Sequence, residues 1–225
     1  MKVKLVSYSQ PSQEYLQEGL DNVQDLIAYA ARVSNPANQF NAETSSRLLN
    51  YLAKHKHWSP FEIVNACLEI ETTRDIAHQI VRHRSFAFQE FSQRYADPKE
   101  MGTQMFEYRE ARLQDKKNRQ NSIEIQDSKL QQEWDTMQQK VMIAASEAYE
   151  WAVNNGIAKE QARAVLPEGC TKTRLYMNGT LRSWIHYIEL RGANGTQKEH
   201  MEIAREVAKV ITEIFPLAKD YAANT

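Results

Sequence analysis

Phe61-Glu62-Ile63-Val64-Asn65-Ala66-Cys67-Leu68-Glu69-Ile70-Glu71-Thr72 is read first because it carries a clear two-residue period. Val64, Ala66, Leu68 and Ile70 alternate with Ile63, Asn65, Cys67, Glu69 and Glu71. An extended chain therefore puts an apolar set on one side of a sheet and a mostly polar set on the other. The spacing predicts a strand over 61–72, entered after Pro60, which breaks the helix before it. Thr73 offers an N-cap, and residues 74–84 continue with helical spacing.

Working outward, Val3, Leu5 and Val6 read as a short strand, and residues 22–33 and 44–55 as helices. Residues 97–121 are polar, contain Pro98 and a charged run at 115–119, and read as a surface excursion with little assignable structure. The clearest helix covers 127–155, where Leu130, Trp134, Met137, Val141, Ala144, Ala148 and Trp151 recur at steps of four and three. That stripe fits core or subunit packing better than a coiled coil, and Gly156 is a suitable stop. A short helix over 159–165, a strand over 171–177 and helices over 180–191 and 197–215 complete the chain. Strands and helices do not alternate regularly, so the class is α+β. We expect helices packed on an antiparallel sheet with a long central helix, in a single domain spanning 1–225.

The 225 residues hold 28 Lys plus Arg against 29 Asp plus Glu, a net charge of -1. No global positive field is present to hold a nucleic acid, which argues against a non-catalytic RNA-binding module. The two cysteines, Cys67 and Cys170, are too few and too far apart for a disulfide framework or a zinc site, and no metal is expected. The apolar run at the N-terminus is too short for a signal peptide, and no stretch approaches the ~20 residues of a membrane span. These features lead us to expect a cytoplasmic protein. With only seven glycines the chain contains neither a Rossmann fingerprint nor a P-loop, so any bound phosphate has to be held by side chains.

That directs attention to the 14 arginines. Arg82-His83-Arg84 ends the predicted 74–84 helix, where Asp75, Gln79 and Arg82 share a face and cations suit the negative end of the dipole. If 86–95 is extended, Glu90, Ser92 and Arg94 line one side, with Gln89, Phe91 and Gln93 on the other. A hydroxyl beside a guanidinium suits a phosphate. In the 180–191 helix, Arg182, His186 and Glu189 oppose an apolar stripe, and Arg191 closes it. Arg163 precedes Val165-Leu166-Pro167, and His57 and Ser59 sit in the turn before the first-quoted strand. Nothing implies a general base for a nucleophilic serine.

Arg82-His83-Arg84, followed by Ser92-x-Arg94, resembles the signature of the flavin-dependent thymidylate synthases. The similarity extends to the His57–Glu62 junction, Gln79, Arg163 and the Arg182…Arg191 helix. Ala87 stands where the signature normally carries serine, and Thr180 where asparagine is common. The resemblance implies a non-Rossmann flavin fold that makes dTMP from dUMP. Methylenetetrahydrofolate would give carbon, and NADPH would give reducing equivalents through FAD. It implies a homotetramer with active sites between subunits, located in the host cytoplasm if the gene is viral. Carried over by position, Ser59, Arg82, His83, Arg84, Glu90, Thr180, Leu181, Arg182 and His186 would meet FAD. Gln79, Arg82, Glu90, Phe91, Ser92, Gln93, Arg94, Arg163 and Arg191 would hold dUMP. His57 and Tyr95 would lie near folate. Arg191 would activate the uracil ring by favouring ionisation at N3, with no cysteine nucleophile.

Overall fold

The computed structural model describes residues 2–102 and 104–219. Its main sheet has four antiparallel strands in the order β1-β2-β6-β3, with β1 at Lys2–Tyr8, β2 at Asn65–Thr73, β3 at Ala87–Glu90 and β6 at Lys172–Thr180. The alternation in β2 behaves as expected: Ala66, Leu68 and Ile70 are buried, while Cys67, Glu69 and Glu71 lie on the opposite side. Glu69 pairs across the sheet with Tyr176, and Glu71 with Arg174. The polar partners on this face also touch, as Tyr176 Oη donates to Glu69 Oε2 at 3.0 Å and Arg174 Nε to Glu71 Oε1 at 3.1 Å.

The strand begins later than the spacing predicts. A 3-10 turn over Ser59–Glu62, with Pro60 as its second residue, buries Phe61 completely and turns Ile63 out to solvent. Besides the short helices α1 (Gln13–Gln17) and α6 (Lys159–Ala162), helices α2 (Val23–Ala31), α3 (Ser45–Lys54), α7 (Leu181–Gly192) and α8 (Lys198–Ile214) supply the apolar cover of the sheet. The stripe Leu181, Trp184, Ile185 and Ile188 of α7 is buried as its spacing predicts. Trp184 Nε1 also donates to Ala66 O at 3.0 Å, which ties α7 to β2.

Further expectations need correction. Helix α4 covers only Arg74–Ile80, so Arg82, His83 and Arg84 lie in turns beyond its end and not within its last turn. The extended segment stops at Glu90, and a turn over 93–95 is closed by Tyr95 N–H donating to Ser92 O at 3.1 Å. Glu90, Ser92 and Arg94 therefore do not line one side of a strand. Part of the 97–121 segment also has regular structure. It contains a capped 3-10 turn at Pro98–Met101, and its β4 (Arg112–Gln114) pairs with β5 (Ser122–Glu124) in a hairpin.

Helix α5 (Ser128–Asn154) is capped by Asp127, whose carboxylate accepts from Lys129 and Leu130 N–H. Its buried residues are Gln138, Met142, Ala145, Tyr149 and Ala152. Of the predicted stripe, Leu130, Trp134, Met137, Val141, Ala144 and Trp151 are exposed and Ala148 is half-buried, so it does not face this chain's own core.

Candidate active site

The 81–86 turn is anchored to the core by Phe86. Its ring packs 4.7 Å from that of Trp184 and lies over Gly179, where the ring occupies the space a side chain would fill. This fixes His83 beside α7, with its ring 5.0 Å from that of Tyr187. At the end of α7, Arg191 Nε donates to His83 Nε2 at 2.9 Å. Burial, followed by the charges of Arg191 and His186, pushes the His83 pKa down to about 4. The imidazole is therefore neutral near pH 7 and accepts from the guanidinium. Among the described residues, Arg191 makes its side-chain hydrogen bond through Nε alone, and its Nη groups are available to a ligand.

Beside this pair lies a polar chain that is buried at Tyr187, His200 and Glu199 and half-buried at Gln79 and Gln197. Tyr187 Oη and His200 Nε2 are 3.1 Å apart, and His200 Nδ1 is 3.3 Å from Gln79 Oε1. Gln79 Nε2 donates to Gln197 Oε1 at 2.8 Å, and Gln197 Nε2 to Glu199 Oε2 at 3.0 Å. Glu199 pairs with Arg112 and, at 3.1 Å, with Arg109 Nη1. Burial also holds His200 neutral, with its pKa lowered to about 3, and raises that of Tyr187.

Arg182, His186 and Glu189 line a cavity of about 690 Å³ with Lys56, Trp58 and Ser85. Cations, an imidazole and an indole suit an anionic, ring-bearing group, and the volume falls in the range of cofactor sites. The donor set is therefore compatible with a flavin nucleotide. Arg182 currently pairs with Glu62. Thr180 caps α7, its hydroxyl accepting from Ser183 N–H at 3.2 Å. Leu181 is a core side chain whose N–H is used by Val64 O. Ser59 and Arg84 are exposed near the 59–62 and 81–86 turns.

A second arginine pair forms elsewhere. Arg94 Nη2 lies 3.3 Å from Glu160 Oε2, and Arg163 Nε donates to Glu160 O at 3.3 Å. Ser92 Oγ accepts from Arg94 N–H, and Gln93 is buried. Glu90 is held by Thr173 Oγ1 at 2.8 Å and Arg74 Nη1 at 3.3 Å. Among the described residues no hydrogen bond or ion pair joins the Arg94–Arg163 group to the His83–Arg191 group. Phe91 N–H is used by Arg174 O, and His57 and Tyr95 are exposed.

Residues 16–217 match the thymidylate synthase complementing protein family. The chain belongs to this family.

Family relatives extend over nearly the whole sequence. The probable flavin-dependent thymidylate synthase of Paramecium bursaria Chlorella virus 1 is 49% identical over 216 residues, covering 96% of each chain. The flavin-dependent thymidylate synthase of Synechocystis sp. is 47% identical over the same length, again with 96% of each chain covered. Among solved structures, a UMP/dUMP methylase PolB from Streptomyces cacaoi bound with 5-Br dUMP superposes with a TM-score of 0.79 at 23% identity. It covers 98% of this chain and 93% of its own, a likeness that supports the shared fold.

Sequence reasoning singled out Gln79 and Arg191 but missed the side chains that connect to Gln79. The signal was present in α8, where His200 stands on the same stripe as Ile203, Ala204 and Val207, all buried. A polar residue on a core-facing stripe has to find a buried partner. Arg109 and Arg112 were hidden in the segment read as a featureless excursion.

Proposed function

We propose that the chain is a flavin-dependent thymidylate synthase. It converts dUMP and methylenetetrahydrofolate to dTMP and tetrahydrofolate, with NADPH as the reductant. The observation that carries this reading is the Arg191–His83 pair: a fixed guanidinium with free Nη groups, held by an imidazole that stays neutral. Methylation at C5 of uracil needs electron density on a weak nucleophile. A guanidinium beside N3 and its neighbouring oxygen stabilises the anionic, enolate-like ring. Arginine does this electrostatically, since its pKa above ~12 excludes it as a free base. Neither Cys67 nor Cys170 is called on, and burial raises the pKa of both thiols.

Ser59, Arg82, His83, Arg84, Glu90, Thr180, Leu181, Arg182 and His186 are assigned to FAD. The mixed lining of the Arg182–His186 cavity supports the assignment of those two residues, and the others rest on the sequence resemblance. When bound and reduced, FAD supplies a hydride, so the folate need donate only carbon. Gln79, Ser92, Arg94 and Arg163 are assigned to dUMP, together with Arg82, Glu90, Arg191 and backbone near Phe91 and Gln93. The meeting of Arg94 and Arg163 at Glu160 supports a phosphate site there. His57 and Tyr95 are assigned to folate.

The resemblance implies sites built from several subunits of a homotetramer; the open apolar face of α5 supports an assembly, and the two arginine groups share no hydrogen bond or ion pair among the described residues. We treat residues 1–225 as one domain. No helix among the described residues is long and apolar enough to cross a membrane. We assign the enzyme to the cytoplasm, or to the host cytoplasm if the gene is viral; two unpaired cysteines fit a reducing compartment.

The test is direct. Purified protein should be yellow or take up FAD, oxidise NADPH, and form dTMP from dUMP and methylenetetrahydrofolate. A protein that binds no flavin and forms no dTMP would overturn the assignment.

A further inference from the structure

We propose that Glu199, acting through Gln197, is a positioning residue that fixes which end of the Gln79 carboxamide is the donor. The inference rests on the assignment of Gln79 to dUMP. A glutamine carboxamide is nearly symmetric in shape, so packing alone does not choose between its oxygen and nitrogen ends. An ionised carboxylate has no such freedom because it only accepts. Burial works against ionisation of Glu199, but a backbone hydrogen bond, Arg109, Gln197 and Arg112 hold its pKa below the ordinary value.

The polarity then propagates. Gln197 has to present its NH2 to Glu199, at 3.0 Å, and therefore its oxygen to Gln79. Gln79 has to present its NH2 to Gln197, at 2.8 Å, and its oxygen to His200. His200 donates from Nδ1, which leaves Nε2 to accept from the Tyr187 hydroxyl at 3.1 Å. Each link removes one two-fold choice. The carboxylate is itself immobilised by Arg109 and Arg112, and Arg109 is further held by Asp75 at 2.8 Å. The second Nε2 hydrogen and the second Oε1 lone pair of Gln79 thus face a ligand in one arrangement. The hairpin segment around 109–112 thereby becomes part of nucleotide recognition.

The experiment is a double-mutant cycle on the flavin-loaded enzyme, reading dUMP dissociation constants by the flavin absorbance change. Gln197→Met cuts the chain while leaving the Glu199–arginine pairs intact, and should weaken dUMP about 10-fold, the scale of one lost hydrogen bond. In a Gln79→Ala background the same substitution should have no further effect. Glu199→Gln, which permits either polarity, should weaken dUMP comparably and raise KM with kcat little changed. Glu199→Asp should recover much of the affinity.

Equal weakening by Gln197→Met with and without Gln79 would mean a general structural role and overturn the proposal. Unchanged dUMP affinity in Gln197→Met would also overturn it. Wild-type enzyme that binds FAD but no dUMP refutes the functional reading itself. Wild-type enzyme that binds dUMP while Gln79→Ala binds it equally well refutes the positioning role alone.

Discussion

Arg191 and His83 meet head-on, a guanidinium Nε donating across 2.9 Å to an imidazole that has been made neutral. They are 108 residues apart in sequence and are brought together because Phe86 pins the 81–86 turn to Trp184 on the same helix that ends in Arg191. Replacing Arg191 by Ala removes the charge proposed to stabilise the ionised uracil. Turnover should fall by about 10²–10³-fold, the range found when a single preorganised donor is removed. Flavin absorbance should persist, because the proposed cavity residues Arg182 and His186 are untouched. Undiminished dTMP formation would remove Arg191 from the chemistry.

Glu160 occupies both arginines of the second group, through its carboxylate to Arg94 and its carbonyl to Arg163. A phosphate drawn to Arg94 competes with this carboxylate. Arg163→Ala should therefore raise the dUMP KM by about 10–100-fold, the scale of a charge-assisted hydrogen bond, with a smaller change in kcat. Glu160→Gln should act in the opposite direction. The ion pair is half-exposed and worth at most ~1 kcal/mol, so KM should fall by no more than about five-fold. Steady-state kinetics with dUMP varied separates the two cases. A raised KM in Glu160→Gln would show that the carboxylate organises the arginines and does not compete for them.

His83 and His200 make stability depend on pH in a definite direction. Each has a folded-state pKa below its ordinary value near 6.5, at about 4 and about 3 respectively. Between those values and 6.5 the unfolded chain binds more protons than the folded one, so stability is complete above 6.5 and declines as pH falls. His200 is fully buried and contributes a slope approaching ~1.4 kcal/mol per pH unit. Thermal melts should show Tm falling between pH 7 and pH 5, and His200→Gln should flatten that decline. Parallel profiles for the two proteins would mean that His200 is already charged in the fold.

The local elements were mostly legible because their signals are local. The alternation over Val64–Ile70 gave β2, and the stripe Leu181, Trp184, Ile185 and Ile188 gave the buried face of α7. The site was legible as a set of residues, arginines with Gln79, His83, Ser92 and His186 among them, but not as pairs, since pairing is a tertiary event. Nothing near Arg94 announces that Glu160 will meet it, and nothing near Gln79 announces Gln197, 118 positions away. The errors have the same origin. Residues 82–84 and 91–95 carry a pattern compatible with helix or strand, but anchoring by Phe86 and Glu90 turns the chain out of both.

Gly179 offers a test of that anchoring. A Cβ there would sit 2.6 Å from Phe86 Cε1, well inside contact distance, so the ring has to move. Gly179→Ala should cost about 1–3 kcal/mol, as overpacked cores do. It should also displace the turn bearing Arg82, His83 and Arg84, and flavin affinity should fall with stability. Phe86→Leu in the same background should recover part of the Tm by making room. A Gly179→Ala protein with unaltered Tm and flavin content would mean that Phe86 has slack and does not fix the turn.

Helix α5 carries the last prediction. Its spacing marked Trp134, Met137 and Val141 as a packing stripe, yet within one chain they are 42%, 56% and 54% exposed. An apolar groove of about 300 Å³ runs beside them, lined also by Met142, Pro167 and Cys170. A contiguous apolar face of this kind is unusual on a monomer and ordinary at an obligate interface. If the proposed homotetramer uses it, a buried charge there is strongly unfavourable. Val141→Asp should then shift the mass measured by light scattering from four copies to fewer. It should leave the far-ultraviolet circular dichroism near that of the parent, because Val141 is outside the chain's own core. Activity should fall with the assembly, since Arg94 and Arg191 would no longer share a site. A Val141→Asp protein that remains tetrameric would show that the subunits meet elsewhere.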